Sequence, residues 1–240
     1  MIKKFIITFT ILFFLSPSVY ARGTTGSKLK FEFNARSCFP EFWYRAPISA
    51  RSSKFNKAYT PQVTRAYEKF YKKYPRKVID NNLKGVYFFG SLNFYGKTFG
   101  GTVRRGNIFI QFDPRKGDYW QYTEKALHHE FSSILMKNYH FPKYEWTADN
   151  GRSYDSDDRG RDKLSEGPGH ERRALLNAGF LTTYGSSDIE NDLNVYADYF
   201  FTKRSRLKRH AKKYPAIAKK AKIFKKFYCG IDSNFSFCDK

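Results

Sequence analysis

The chain is short of cysteine, of acidic residues and of long apolar stretches. Its three cysteines, Cys38, Cys229 and Cys238, include no C-x-x-C pair, so a structural zinc site built from thiolates is not expected. Asp and Glu together number 22 against 44 Lys and Arg. After the first two dozen residues no segment is apolar enough to supply the roughly 20 residues that a membrane-spanning helix needs. No internal repeat is visible, which excludes solenoid and propeller arrays.

The apolar stretch that does exist lies at the start and has the three parts of a secretory leader. Lys3 and Lys4 precede an apolar run over 5–15 broken only by Thr8 and Thr10; Ser16-Pro17-Ser18 ends it, and Val19-Tyr20-Ala21 offers small residues for a signal peptidase. The pattern predicts a signal peptide over 1–21 and a periplasmic or secreted protein. No cysteine follows the run, so no lipoprotein attachment is expected. Export permits disulfides. Cys229 and Cys238 could close a C-terminal staple, and Cys38 could equally pair with either, leaving one thiol over in every case. The formal charge is +22, and loss of Lys3 and Lys4 with the leader makes it +20. Such a charge favours polyanions: nucleic acid, anionic lipid or acidic cell-wall polymers. Export disfavours the nucleic acid.

The mature chain divides by composition. Residues 22–55 are irregular, basic and aromatic. Residues 61–74 read as a helix, with Val63, Tyr67, Phe70, Tyr71 and Tyr74 at spacings of three and four, Pro61 in the first turn and Pro75 ending it. Three β-rich runs follow over 86–89, 92–95 and 107–112, separated by Gly90, Gly96, Gly100-Gly101 and Gly106, which predicts short strands with tight turns. A second helix is predicted with Thr123 as N-cap and Leu127, Phe131, Ile134 and Leu135 on one face, stopped by Pro142. A polar loop over 149–170, a helix over 189–202 and a very basic helical region over 203–226, interrupted at Pro215, complete the chain.

The chemistry-bearing string is His128-His129-Glu130-Phe131-Ser132-Ser133 on the second helix. A zinc peptidase helix carries two imidazoles four residues apart, so that both share one face. The glutamate after the first then acts as base on metal-bound water. His129 and Glu130 supply the start of that pattern, but its fifth position is Ser133. His128 cannot substitute, because it is turned about 100° from His129 around the helix.

Here the chain resembles the zincin group of metallopeptidases, specifically exported zinc peptidases of the gluzincin-like type. The resemblance covers roughly residues 61–228. It rests on the strand Asn107-Ile108-Phe109-Ile110, the helix bearing His129-Glu130, and the downstream acidic segment that begins at Asp188. It implies an α+β fold, a small twisted mixed sheet backed by helices, whose edge strand lies along a cleft and pairs with extended peptide. The zincin-like domain would span 56–202, with a basic helical C-terminal extension over 203–240 packed on it. The resemblance further implies zinc held by His129 and Glu190, with His128, Asp192 and His170 as lesser candidates. Glu130 would be the catalytic base, Tyr196 the oxyanion partner, and a peptide or protein the substrate. A serine hydroxyl is a poor zinc ligand, so two readings follow: an exported zinc-dependent metallopeptidase, or a catalytically degenerate relative that binds an anionic cell-envelope component.

Two other clusters have simpler readings. Asp155, Asp157, Gly160 and Glu166 fall at calcium-loop positions, but Arg159 and Lys163 spoil the set, so a solvated loop is expected. The basic residues from Lys203 to Lys226 alternate with Leu207, Ala211, Ile217, Ala221, Ile223 and Phe224, as in amphipathic helices packed on a domain.

Overall fold

A computed structural model describes residues 28–30, 39–115, 119–154 and 173–238. The leader, Cys38, the calcium-like segment and His170 lie outside the described residues.

In chain order the elements are β1 (Lys28–Lys30), β2 (Arg51–Ser53), α1 (Thr60–Tyr71), α2 (Arg76–Asn82), β3 (Gly85–Phe89), β4 (Ser91–Phe94), β5 (Lys97–Thr98), β6 (Gly101–Arg104) and β7 (Asn107–Gln111). Then come α3 (Tyr119–Asn138), α4 (Lys143–Thr147), α5 (Arg173–Asn177), α6 (Ile189–Thr202), α7 (Arg204–Lys213) and α8 (Pro215–Ile231). The main sheet has the order β1-β3-β7-β6. Its first three strands are parallel and β6 is an antiparallel edge. The fold is therefore α+β, with a mixed sheet backed by helices and a C-terminal helical bundle.

Residue alternation explains how the sheet is covered. Val86, Phe88, Ile108 and Ile110 point into the large core shared with the helices. Phe89 and Phe109 point the other way, into a second cluster with Phe39, Trp43, Leu92 and Phe94. With both faces buried, β3 and β7 read as nearly continuous apolar runs. A small antiparallel sheet, β2-β4-β5, forms part of that second layer. The hairpins β4–β5 and β6–β7 turn on Tyr95-Gly96 and Arg105-Gly106, all four with positive φ. This is the two-residue turn whose twist matches paired strands, and it sets the register that leaves β6 at the edge.

Several local expectations change. Lys28–Lys30, expected to be irregular, pairs in parallel with β3. The first helix stops at Tyr71, and Pro75 opens the unpredicted α2. The second helix starts at Tyr119, so Thr123 is a buried interior residue and no cap. Tertiary contact supports the extra turn: Arg65 and Lys69 of α1 lie 4.5 and 4.1 Å from the Trp120 ring centroid. α6 spans the predicted residues, with the Asp188 carboxylate accepting from the Asn191 amide at 2.7 Å.

α7 and α8 bury Leu207, Ile217, Ile223, Phe224, Phe227 and Tyr228 in the main core. A disulfide joins Cys229, in the last turn of α8, to Cys238 just beyond the helix. Among the described residues no helix is long and apolar enough to cross a membrane.

Candidate functional site

The site lies between α3 and α6. His129 Nδ1 meets Asp198 Oδ2 at 3.4 Å, Asn194 Nδ2 donates to Ser133 Oγ at 2.7 Å, and Lys137 Nζ donates to Glu190 Oε1 at 3.0 Å. Numbers rise by four along α3 as they fall by four along α6. The two helices therefore run antiparallel and face each other through three polar rungs, each about one turn apart. Lys125, one turn before His129, adds its Nζ at 3.5 Å from Asp198 Oδ2. The outer rungs are charged; the middle rung is a neutral hydroxyl and amide.

Glu130 sits beside this ladder, beneath the edge strand. A Cβ built on Gly101 of β6 would stand 2.6 Å from Glu130 Oε1, so a larger residue there would force the carboxylate to shift. Burial pushes the Glu130 pKa up to about 7; the His129 charge opposes this, and Glu190 and Asp198 add to it. Burial alone would lower the His129 pKa, but the Asp198 carboxylate outweighs it and holds the imidazole above its ordinary value. Tyr184 stacks on His129 with ring centroids 5.5 Å apart. Its hydroxyl is pushed up by burial and by the Glu130 charge, so it stays protonated.

The other sequence candidates are engaged elsewhere. His128 is fully buried, with Nδ1 2.9 Å from the Tyr74 hydroxyl and its ring stacked on Phe201 at 4.6 Å. Burial lowers its pKa to about 4, so it is a neutral core histidine. Asp192 is buried too, and its Oδ2 accepts from Lys220 Nζ at 2.6 Å, Trp146 Nε1 at 2.8 Å and the Tyr154 hydroxyl at 2.9 Å. Tyr196 donates its hydroxyl to the Gly179 carbonyl at 3.1 Å inside the core. Glu190 shares α6 with Asp198 but lies two rungs from His129, paired to Lys137. Lys220, which the sequence groups with the basic face, is buried against Asp192 and lies 4.3 Å from the Phe180 ring centroid.

Sequence reading overlooked Asn194, Asp198 and Tyr184. A signal for the first two was present. Lys125, His129, Ser133 and Lys137 form one row at spacing four, and Glu190, Asn194 and Asp198 form another. Two such rows on packed helices meet residue by residue.

Zinc sites take thiolate, imidazole and carboxylate donors, at least three of them from protein. The position one turn beyond His129, where a second imidazole would stand, is Ser133, and the residue facing it is Asn194, already joined to it by a hydrogen bond. Asp198 is divided between His129 and Lys125. Among the described residues no group of three or more His, Cys, Asp or Glu side chains is placed to hold a metal ion. These residues do not fit a zincin zinc.

No protein-family model and no curated protein matches the chain. Among solved structures it is similar to a candidate zinc-binding metallo-peptidase from Bacteroides caccae. The TM-score is 0.54 at 16% sequence identity, covering 84% of this chain and 79% of that one. What this likeness shows is a common fold.

Proposed function

We propose that this protein is a catalytically degenerate zincin-like protein, exported by its leader, that binds an anionic component of the cell envelope and does not hydrolyse peptides. The observation that carries the loss of catalysis is the Ser133–Asn194 hydrogen bond of 2.7 Å, which fills with two neutral side chains the rung where zinc donors would face each other. Without the metal, water keeps a pKa near ~15.7 rather than the ~7 of zinc-bound water. A carboxylate such as Glu130, with a pKa of about 7, is then far too weak a base to deliver hydroxide. Equilibration of purified protein with zinc, followed by gel filtration and metal analysis, tests this. We expect substoichiometric zinc and a melting temperature unchanged by EDTA. One zinc per chain, lost in His129→Ala, would contradict it.

The competing reading is a zinc-dependent metallopeptidase. It is favoured by the His129-Glu130 pair beneath an antiparallel edge strand and by the fold shared with the Bacteroides caccae protein. In that reading His129 and Glu190, with His170 or another group, hold zinc, and Glu130 deprotonates the bound water. Glu130→Gln separates the two. Peptidase activity abolished by this change would support the enzyme, and no activity in either protein supports the binding scaffold.

A further inference from the structure

We infer that the solvent faces of α7 and α8 form a docking face for a linear phosphodiester polymer of the cell envelope; the inference deepens the binding reading above and names its partner. From Lys203 to Ile231 the chain contains no Asp or Glu. On α7, Arg204, Arg206, Lys208, Arg209, Lys212 and Lys213 are all exposed, and only Leu207 is buried. On α8, Lys219, Lys222 and Lys226 are exposed. Of the exposed cations on α8, Lys219 pairs with Asp149 at 2.6 Å.

This charge is arranged against the interests of the helices. Arg204 and Arg206 occupy the first turn of α7, at the positive end of the helix dipole, and that turn has no acidic residue. Arg204 and Lys208, Lys208 and Lys212, and Arg209 and Lys213 are like-charged pairs at spacing four, which repel. A partner that brings regularly spaced negative charge relieves both effects. The row Arg204-Lys208-Lys212 repeats about every 6 Å along the helix, close to the separation of neighbouring groups in a phosphodiester chain, and guanidinium groups match phosphate oxygens in fork geometry.

A bilayer fits less well. The apolar sides of both helices are used up in the core, and the exposed large hydrophobic residues among those described are Phe42, Tyr95 and Tyr144, none of them on α7 or α8. A membrane-surface helix needs such residues to enter the headgroup layer.

The test is binding of the full mature protein to lipid-free poly(glycerol phosphate). Single-stranded DNA of equal charge and vesicles containing phosphatidylglycerol serve as the other two arms. We expect the polymer to bind best, with affinity falling steeply with salt. The triple variant K208E/R209E/K212E should bind at least about tenfold more weakly, with a salt slope shallower by about one unit per lost cation. The control K54E/K72E/K77E, an equal change of charge at exposed sites away from α7 and α8 in sequence, should lose less than about threefold. Equal losses in the two variants would overturn the docking face. Tighter binding to vesicles or DNA than to the polymer would overturn its assignment to an envelope polymer. Zinc content is read separately: a zinc-loaded protein that still binds the polymer through α7 would contradict the degenerate reading and leave this face standing.

Discussion

Ser133 and Asn194 face each other across the α3–α6 interface and share a hydrogen bond of 2.7 Å in a fully enclosed setting. They occupy the middle of three rungs, between His129–Asp198 and Lys137–Glu190. The pair does for helix packing what a shared metal does elsewhere: it ties two helices at one point through polar groups. Truncating one partner leaves the other buried without its bond, at about 1–3 kcal/mol. Asn194→Ala should therefore destabilise more than the surface change Lys77→Ala in urea unfolding. The Ser133→Ala/Asn194→Ala cycle should show a coupling of about 0.5–1.5 kcal/mol. Strict additivity would mean that the rung is not a unit.

Glu130 gives the protein a pH signature. Its folded pKa, about 7, is above its ordinary 4.5, so the fold prefers the protonated form. Below pH 4.5 it is protonated in both states and adds no penalty. Between 4.5 and about 7 the unfolded chain ionises first, so stability falls as pH rises. His129, also raised, acts in the same direction: its contribution is present below 6.5 and lost as pH climbs through its higher folded value. Glu130 is partly exposed, which discounts the effect to about 1–3 kcal/mol over the window. Glu130→Gln should flatten most of this slope in urea midpoints measured from pH 4.5 to 8. A variant that keeps the full wild-type slope would place the titration elsewhere.

Gly101 and Glu130 should be coupled. The carboxylate occupies the space that a β-carbon on the edge strand would need. Gly101→Ala should destabilise the protein by about 1–3 kcal/mol through crowding, and adding Glu130→Ala should recover much of the loss. If Gly101→Ala is neutral in thermal unfolding, β6 does not hold the carboxylate down.

Lys220 and Asp192 form an ion pair enclosed by Trp146, Tyr154 and Phe180. Burial raises the Asp192 pKa to about 6 even against the attraction of Lys220, so removing the ammonium leaves a poorly compensated carboxyl. Lys220→Met should cost about 3–5 kcal/mol, whereas Lys220→Met with Asp192→Asn should be much milder. Chemical denaturation checks both. Equal losses would show that packing, not charge, is what the single variant removes.

Much of the scaffold is legible in the sequence because it is written locally. β3 and β7 are β-branched and aromatic runs bounded by glycine, and α6 begins at an Asp that caps its own helix. The unexpected elements depend on distant partners. β1 is three residues whose strand pairing comes from β3, and the first turn of α3 gains its contact from α1 through Trp120.

The candidate site divides in the same way. His129-Glu130 stands out as a motif, but its facing residues follow from the register of two helices that sequence spacing only hints at. Acidity drew attention to Glu190 and Asp192. Asn194, which faces Ser133, is neutral, and Asp198, which holds His129, lies two turns further on. Asp192 shares α6 with them yet points toward Lys220 on another helix, a distinction set by rotation around α6 and not by residue type.

The degenerate reading meets its sharpest test in zinc titration of the wild-type protein beside the variant that restores donors to the middle rung, Ser133→His with Asn194→Glu. With His129, the variant offers two imidazoles one turn apart on α3 and a carboxylate facing them from α6. We expect no stoichiometric zinc in the wild type and one zinc per chain in the double variant, with a melting temperature that then falls on chelation. Stoichiometric zinc in the wild type, released by His129→Ala, would contradict the degenerate reading.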